Sequence, residues 1–283
     1  MVPAADAPQG LKSIFHPSDF SETSEVAFAH ALKIALLAHA DLNILHVREA
    51  PGESWADFPG VRQMLERWRV LPSGSPRSAV PALGIDVRKV LSKESDPVAA
   101  SLRYIERKPT DLIVLATSQH EGRARWLSNA VAEPLARESG LMTLFVPAGV
   151  EGFVARSDGS VSLRSILIPV TEDPSPRTAI EAARRMARGL EREQVAFTAL
   201  YVGAPEDMPA LSFAPTSGWT WRAMTGQGDV VQTILAVAGE CAADLIVMAT
   251  QGHQGFLDAL RGSTTERVLR HARCPLLAVP AGA

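Results

Sequence analysis

Asp111–Thr117, DLIVLAT, and Asp244–Thr250, DLIVMAT, are one phrase written twice in a single chain, 133 residues apart. After its aspartate each is almost wholly apolar, as a strand buried on both faces of a parallel sheet must be. A second phrase keeps the same spacing, since LFVPAG at 144–149 returns as LAVPAG at 277–282. Nearer the start of each half the spacing changes: SIFHP at 13–17 returns as SILIP at 165–169, 152 residues on. The chain is therefore a duplication whose first copy carries an extra segment about one helix long.

That segment falls between Trp55 and Val70, where RQMLERWRV reads as a helix ahead of the strand-like IDVRKVL at 85–91. The second copy instead has a Pro-, Ser- and Gly-rich stretch, GAPEDMPALSFAPTSG, before WTWRAM. Trp219 and Trp221 alternate there as half-buried strand residues do, and they also suit a role in capping the side left short of a helix. Between the apolar runs lie amphipathic helices. Ile180, Ala183, Ala187 and Leu190 share one face, Val230, Ile234, Val237 and Cys241 another, and Phe28, Leu32 and Ala35 play the same part in the first copy. Asp96, before Pro97, and Asp229 are placed as N-caps. Alternating strands and helices predict an α/β fold of two tandem doubly wound, Rossmann-type parallel-sheet domains, 10–150 and 162–283. The short apolar closing strands, 142–146 and 275–279, predict an internal pseudo-twofold contact between the domains. Pairing of a whole second copy as a homodimer would be a further step.

Composition narrows the function. A net charge of −3 and a pI near 6.2 lack the basic footprint of a nucleic-acid or anionic-membrane binder. Cys241 and Cys274 form no CxxC pair and read as small core residues, which fits a cytoplasmic protein without a disulfide framework. The first residues lack the apolar core of an export signal, and no apolar run is long enough to span a bilayer. No HxH or HExxH spacing suggests a metal, and His30 and His39 read as helix-surface or helix-end residues. No catalytic residue is assigned.

In a doubly wound sheet ligands bind beyond the carboxyl ends of the strands. After DLIVMAT the chain continues QGHQGFLDALRGSTTERVLRHA, in which Gly252 and Gly262 bracket nine residues and Ser263 opens a helix. Glycines admit a ligand close to the backbone, and a helix start offers unpaired N–H groups to an anion. Taken alone, Gly252, Gly255 and Gly262 also fit simple turns; strand, loop and helix in that order favour a phosphate site. The basic residues Arg267, Arg270, His271 and Arg273 read as a solvated helix face.

This pattern resembles the nucleotide motif of the universal stress protein family, GxxG, nine residues, then G and S or T, and the resemblance covers both copies. Ala249 replaces the first glycine. The resemblance implies an adenine nucleotide α-hydrolase-like fold that binds ATP, ADP or AMP with magnesium. It further implies that Gly252, Gly262, Ser263, Thr264 and Thr265 hold the phosphates, while Met248, Ala249 and Gln251 line the ribose and triphosphate path. Pro169, Val170, Thr171 and Val202 would receive the adenine, although the family usually has aspartate where Thr171 stands. In the first copy Gln119, Asn129 and Ala130 replace the glycines and the hydroxyl, so no ATP is expected there, and Asp19 is expected to cap the following helix. The implied role is regulatory or protective under stress. Two others stay open: a slow ATPase or nucleotidyl-transfer enzyme, and a chaperone-like scaffold with incidental nucleotide.

Overall fold

The computed structural model describes residues 10–48, 60–117, 129–251 and 263–281, with residues 129 and 130 described by their backbone alone. The first copy runs β1 (Ser13–Pro17), α1 (Glu22–Ala38), β2 (Asp41–Val47), α2 (Val61–Arg67), β3 (Val87–Ser92), α3 (Pro97–Arg107), β4 (Leu112–Thr117), α4 (Asn129–Ser139) and β5 (Thr143–Pro147). The second runs β6 (Ser165–Val170), α5 (Pro176–Gly189), β7 (Val195–Val202), β8 (Trp219–Gly226), α6 (Val230–Glu240), β9 (Leu245–Thr250), α7 (Thr264–His271) and β10 (Leu276–Pro280). A 3-10 turn at Pro205–Asp207 lies where the first copy has α2. Trp55 falls outside the described residues.

The aspartate that opens each repeated phrase has a structural task. Asp111 Oδ2 accepts the N–H groups of Lys12 and Ser13 at 2.7 and 2.9 Å, and Asp244 Oδ2 accepts those of Arg164 and Ser165 at the same two distances. Each carboxylate thereby fastens the entry of its copy's first strand to its fourth.

The ten strands of the described residues form one sheet in the order β3-β2-β1-β4-β5-β10-β9-β6-β7-β8. Pairing is parallel within each copy. The closing strands meet antiparallel, Leu144 opposite Leu277 and Phe145 opposite Leu276. Helices α1 and α5 cover one face over a core that includes Phe28, Ile34, Ile168 and Met186. The other face is covered by α3, α4, α6 and α7 over Phe15, Leu135, Ile234 and Leu269. At the 152-residue offset all the buried positions of α5 (Ala179, Ile180, Ala182, Ala183, Met186, Ala187) coincide with buried positions of α1 (Ala27, Phe28, His30, Ala31, Ile34, Ala35), and α1 buries Ser24, Val26, Ala29 and Leu32 besides. Among the described residues no helix is long and apolar enough to cross a membrane.

Three expectations change. In α6 the buried face is Val231, Ile234 and Val237, while Val230 is 42% exposed, because Val230 is the first residue after the Asp229 cap and points away from the sheet. His30 is fully buried: its Nδ1 bonds Val26 O at 2.9 Å, and its Nε2 accepts N–H groups from Phe153 and Val154 at 3.1 and 3.2 Å. It therefore binds the linker, which folds as a hairpin bridged at Val154 and Val161. The third concerns Asp19. The cap of α1 is Ser21, whose Oγ accepts from Ser24 N, and Asp19 instead holds Ser21 N–H at 3.0 Å. His39 does end α1, in a left-handed conformation.

Candidate functional site

Strands β6 and β7 pair along six residues, whereas β6 and β9 pair only through Ile166 with Leu245 and Leu167 with Ile246. Beyond those pairs β6 and β9 part, opening a crevice at their carboxyl ends. This is the switch point of a doubly wound sheet. In the first copy β1 and β4 part in the same way, after Ile14 with Leu112 and Phe15 with Ile113.

Pro169 and Val170 end β6, with Val170 buried, and Thr171 follows exposed. Val202 ends β7 half-buried. Met248 differs from its expected place along the ligand path, because its side chain is 6% exposed and packs into the core on the α6 and α7 side. Ala249 is half-buried against the α5 side, and Gln251 is exposed beyond the end of β9. Gln251 Nε2 donates to Asp173 Oδ2 at 2.9 Å. The two lips of the crevice are thus joined, and a carboxylate stands two residues past Thr171. Asp173 escaped the sequence reading, which looked for aspartate only at position 171; the acidic run TEDP was the available signal.

Ser263 is the N-cap of α7, its Oγ accepting from Glu266 N at 3.1 Å. As the first two residues of the helix, Thr264 and Thr265 have N–H groups with no intrahelical acceptor. The start of α7 is held beside that of α6: Arg267 reaches Asp229 at 3.4 Å, while Asp229 caps α6 through Gln232 N at 2.9 Å. That hydrogen bond is the largest cause holding the Asp229 carboxyl below its usual range. Two helix N-termini therefore converge at the carboxyl edge of the second copy's strands, where an anion is favoured. Gly252 and Gly262 lie outside the described residues, as do Gly255 and Gln119. Cys274 is buried, and burial pushes its thiol up to about 12, so it stays protonated and unreactive.

The corresponding end of β1 carries its own hydrogen bonds. His16 is fully buried with Nδ1 at 2.8 Å from Val114 O, and its burial holds the imidazole down at about 4. His46 Nδ1 lies 2.7 Å from Ser18 O, and the Phe20 ring stacks on His46 with centroids 3.8 Å apart. Ser18 and Ser24 share a hydroxyl contact of 3.0 Å. His16 Nε2 and Asp19 Oδ2, by contrast, are buried there with no hydrogen-bond partner among the described residues.

A model of the universal stress protein family matches residues 10–147 and 220–280. No curated protein matches the chain significantly. Among solved structures, a universal stress protein from Archaeoglobus fulgidus is similar over 95% of this chain and 96% of its own, with 18% identity and a TM-score of 0.60. A putative universal stress protein from Pseudomonas aeruginosa is similar over 95% of this chain and 93% of its own, with 14% identity and a TM-score of 0.57. The cytoplasmic domain of a prokaryotic cation chloride cotransporter shares the fold over 97% of both chains, with 10% identity and a TM-score of 0.50.

Proposed function

Because the chain belongs to the universal stress protein family, we propose that its second copy binds ATP or ADP in the crevice between β6 and β9, and that occupancy regulates partner choice under stress. The observation that carries this reading is the start of α7, with Ser263 as cap and the N–H groups of Thr264 and Thr265 without an acceptor in the helix, held against the start of α6 by Arg267 and Asp229. Phosphate oxygens accept from those N–H groups, and magnesium enters as the counter-ion of the triphosphate. Gly252 and Gly262 allow the intervening backbone to approach the phosphates without a Cβ in the way. The base lies toward Pro169, Val170, Thr171 and Val202. There Asp173 supplies the acceptor for an exocyclic amine that Thr171 does not, once Gln251 gives up its bond.

Titration calorimetry with ATP and magnesium tests the reading. We expect one site per chain, and a loss of about tenfold or more in affinity on Gly262→Asp, which sets a charge against the phosphates. Absence of heat at millimolar ATP, or equal binding by that variant, overturns it. Asp173→Asn separates the base end, since its effect should be larger for ATP than for GTP if the carboxylate reads the amine.

A further inference from the structure

On the face covered by α1 and α5, a cavity of about 600 Å³ opens between the two copies. Its floor is apolar, made by Leu11, Ile34, Met142, Ala182, Met186 and Leu190. Lys12, Arg185 and Arg188 stand at its mouth. The one carboxylate there, Asp111, already accepts two backbone N–H groups. Arg188 lies over the Trp219 ring at 6.0 Å, and among the described residues Arg185 has no ion-pair partner.

Pseudo-twofold symmetry gives this cavity a counterpart, and the counterpart is filled. Ala182 corresponds to His30 at the 152-residue offset, Arg185 to Lys33, and Met142 to Pro275 at the 133-residue offset. Around His30 and Pro275 the linker packs in: the Phe153 ring meets His30 edge-on at 4.7 Å, and a Cβ on Gly152 would come within 3.0 Å of Pro275. Phe153 is 1% exposed. The linker also brings Asp158 into electrostatic range of Lys33, which Glu191 joins from the end of α5. One cleft thus holds an apolar ring and a carboxylate facing its cation. In the other, alanine replaces the filling histidine and the corresponding cation, Arg185, has no such partner.

We propose that the open cleft is a binding site for a small amphipathic carboxylate, its apolar body on Met142, Ala182 and Met186 and its head at Arg185 and Lys12. The internal linker shows which chemistry this surface accepts. Cavity size and position between two domains are those of small-molecule sites.

Decanoate, titrated below its micellar concentration into the full chain, is the probe, with decylammonium as a control of equal apolar area. We expect one decanoate per chain, decylammonium weaker by about tenfold, and a loss of about tenfold on Arg185→Glu, the size expected for a charge-assisted contact. Ala182→Phe, which places a ring where the cleft is open, should abolish binding. Because Ala182 is buried and that variant can disturb packing, the exposed Arg185→Glu carries the decision, with Lys12→Glu beside it and unchanged melting as the check on their fold. Equal binding of both amphiphiles, indifference to these charge variants, or no heat at 1 mM (about the weakest affinity worth the name) overturns the proposal. So does binding that emerges only after residues 1–9 are removed, which would make the chain itself the occupant.

Discussion

His30 and His16 carry a pH dependence at the level of single residues. Burial is the first cause that holds both imidazoles down at about 4, against hydrogen bonds to Val26 and Val114 that pull the other way. The unfolded chain, with histidines near 6.5, binds more protons than the folded one between those values. Stability is therefore complete above 6.5 and is lost as pH falls toward 4. Each histidine should cost roughly 2 kcal/mol between pH 7.5 and pH 5, read by urea unfolding at the two values. His30→Gln, whose amide oxygen can still accept from the linker, should remove about half of that slope. An unchanged slope in this variant would show that His30 does not titrate as described. Nothing in the sequence around His30 announces this role, because its partners, Phe153 and Val154, lie in a linker that reads as a loop. Ser263 was legible, since a hydroxyl before a helix with glutamate three residues on signals its own cap. Asp173 was not, because its value lies in its bond to Gln251 across the crevice.

Among the elements, α4 and α7 show what duplication does to charge. Glu133 and Glu266 are equivalent at the 133-residue offset, as are Arg137 and Arg270, and the two carboxyls meet across the copies. Burial first, and then Glu266, push Glu133 up to about 7, with Arg270 and Arg137 opposing. Glu266 is paired with Arg270, while among the described residues Glu133 Oε1 has no hydrogen-bond partner. Here the folded state holds the proton more tightly, so the contribution is full at low pH and lost as pH rises from 4.5 through 7. Glu133→Gln should raise stability at pH 8 by about 1 kcal/mol, after allowing for screening at this half-exposed position, and leave it unchanged at pH 4.5. Chemical unfolding at both values checks this. Strand positions were readable to within a residue or two because buried parallel strands are written as apolar runs. The phase of α6 was not, since Val230 and Val231 are both apolar and only the sheet beneath chooses between them. The missing helix of the second copy is made good by a stack of rings, Phe197 against Trp221 at 4.1 Å and Trp221 against Phe213 at 4.5 Å. The sequence marked the tryptophans for such a capping role, but Phe213 lay hidden in a polar stretch.

The whole molecule is one sheet with a single antiparallel seam. Leu144 and Leu277 face each other there, both fully buried. Leu277→Ala should cost 2–5 kcal/mol, in the range of buried leucine truncations. Because the linker, α1 and the seam join the copies, we expect both to melt together. Fluorescence variants that keep only Trp68, in the first copy, or only Trp221, in the second, should report coincident transitions; separated transitions would show independent domains. Repeated phrases made the tandem architecture and the seam legible. They could not reveal that the linker would become core, since Phe153, Val154 and Ala155, and then Leu163, are short apolar interruptions in a polar run.

The seam also gives the molecule a polarity. Strands of the two copies run in opposite senses, so the carboxyl edge of β1–β5 and that of β6–β10 lie on opposite rims of the sheet. The crevice between β6 and β9 therefore opens on the rim opposite the carboxyl end of β1, and one partner of ordinary reach cannot read both rims at once. The duplicated chain is in this sense two-headed: each copy offers its carboxyl edge to a different neighbour, and what docks on one rim need not displace what sits on the other.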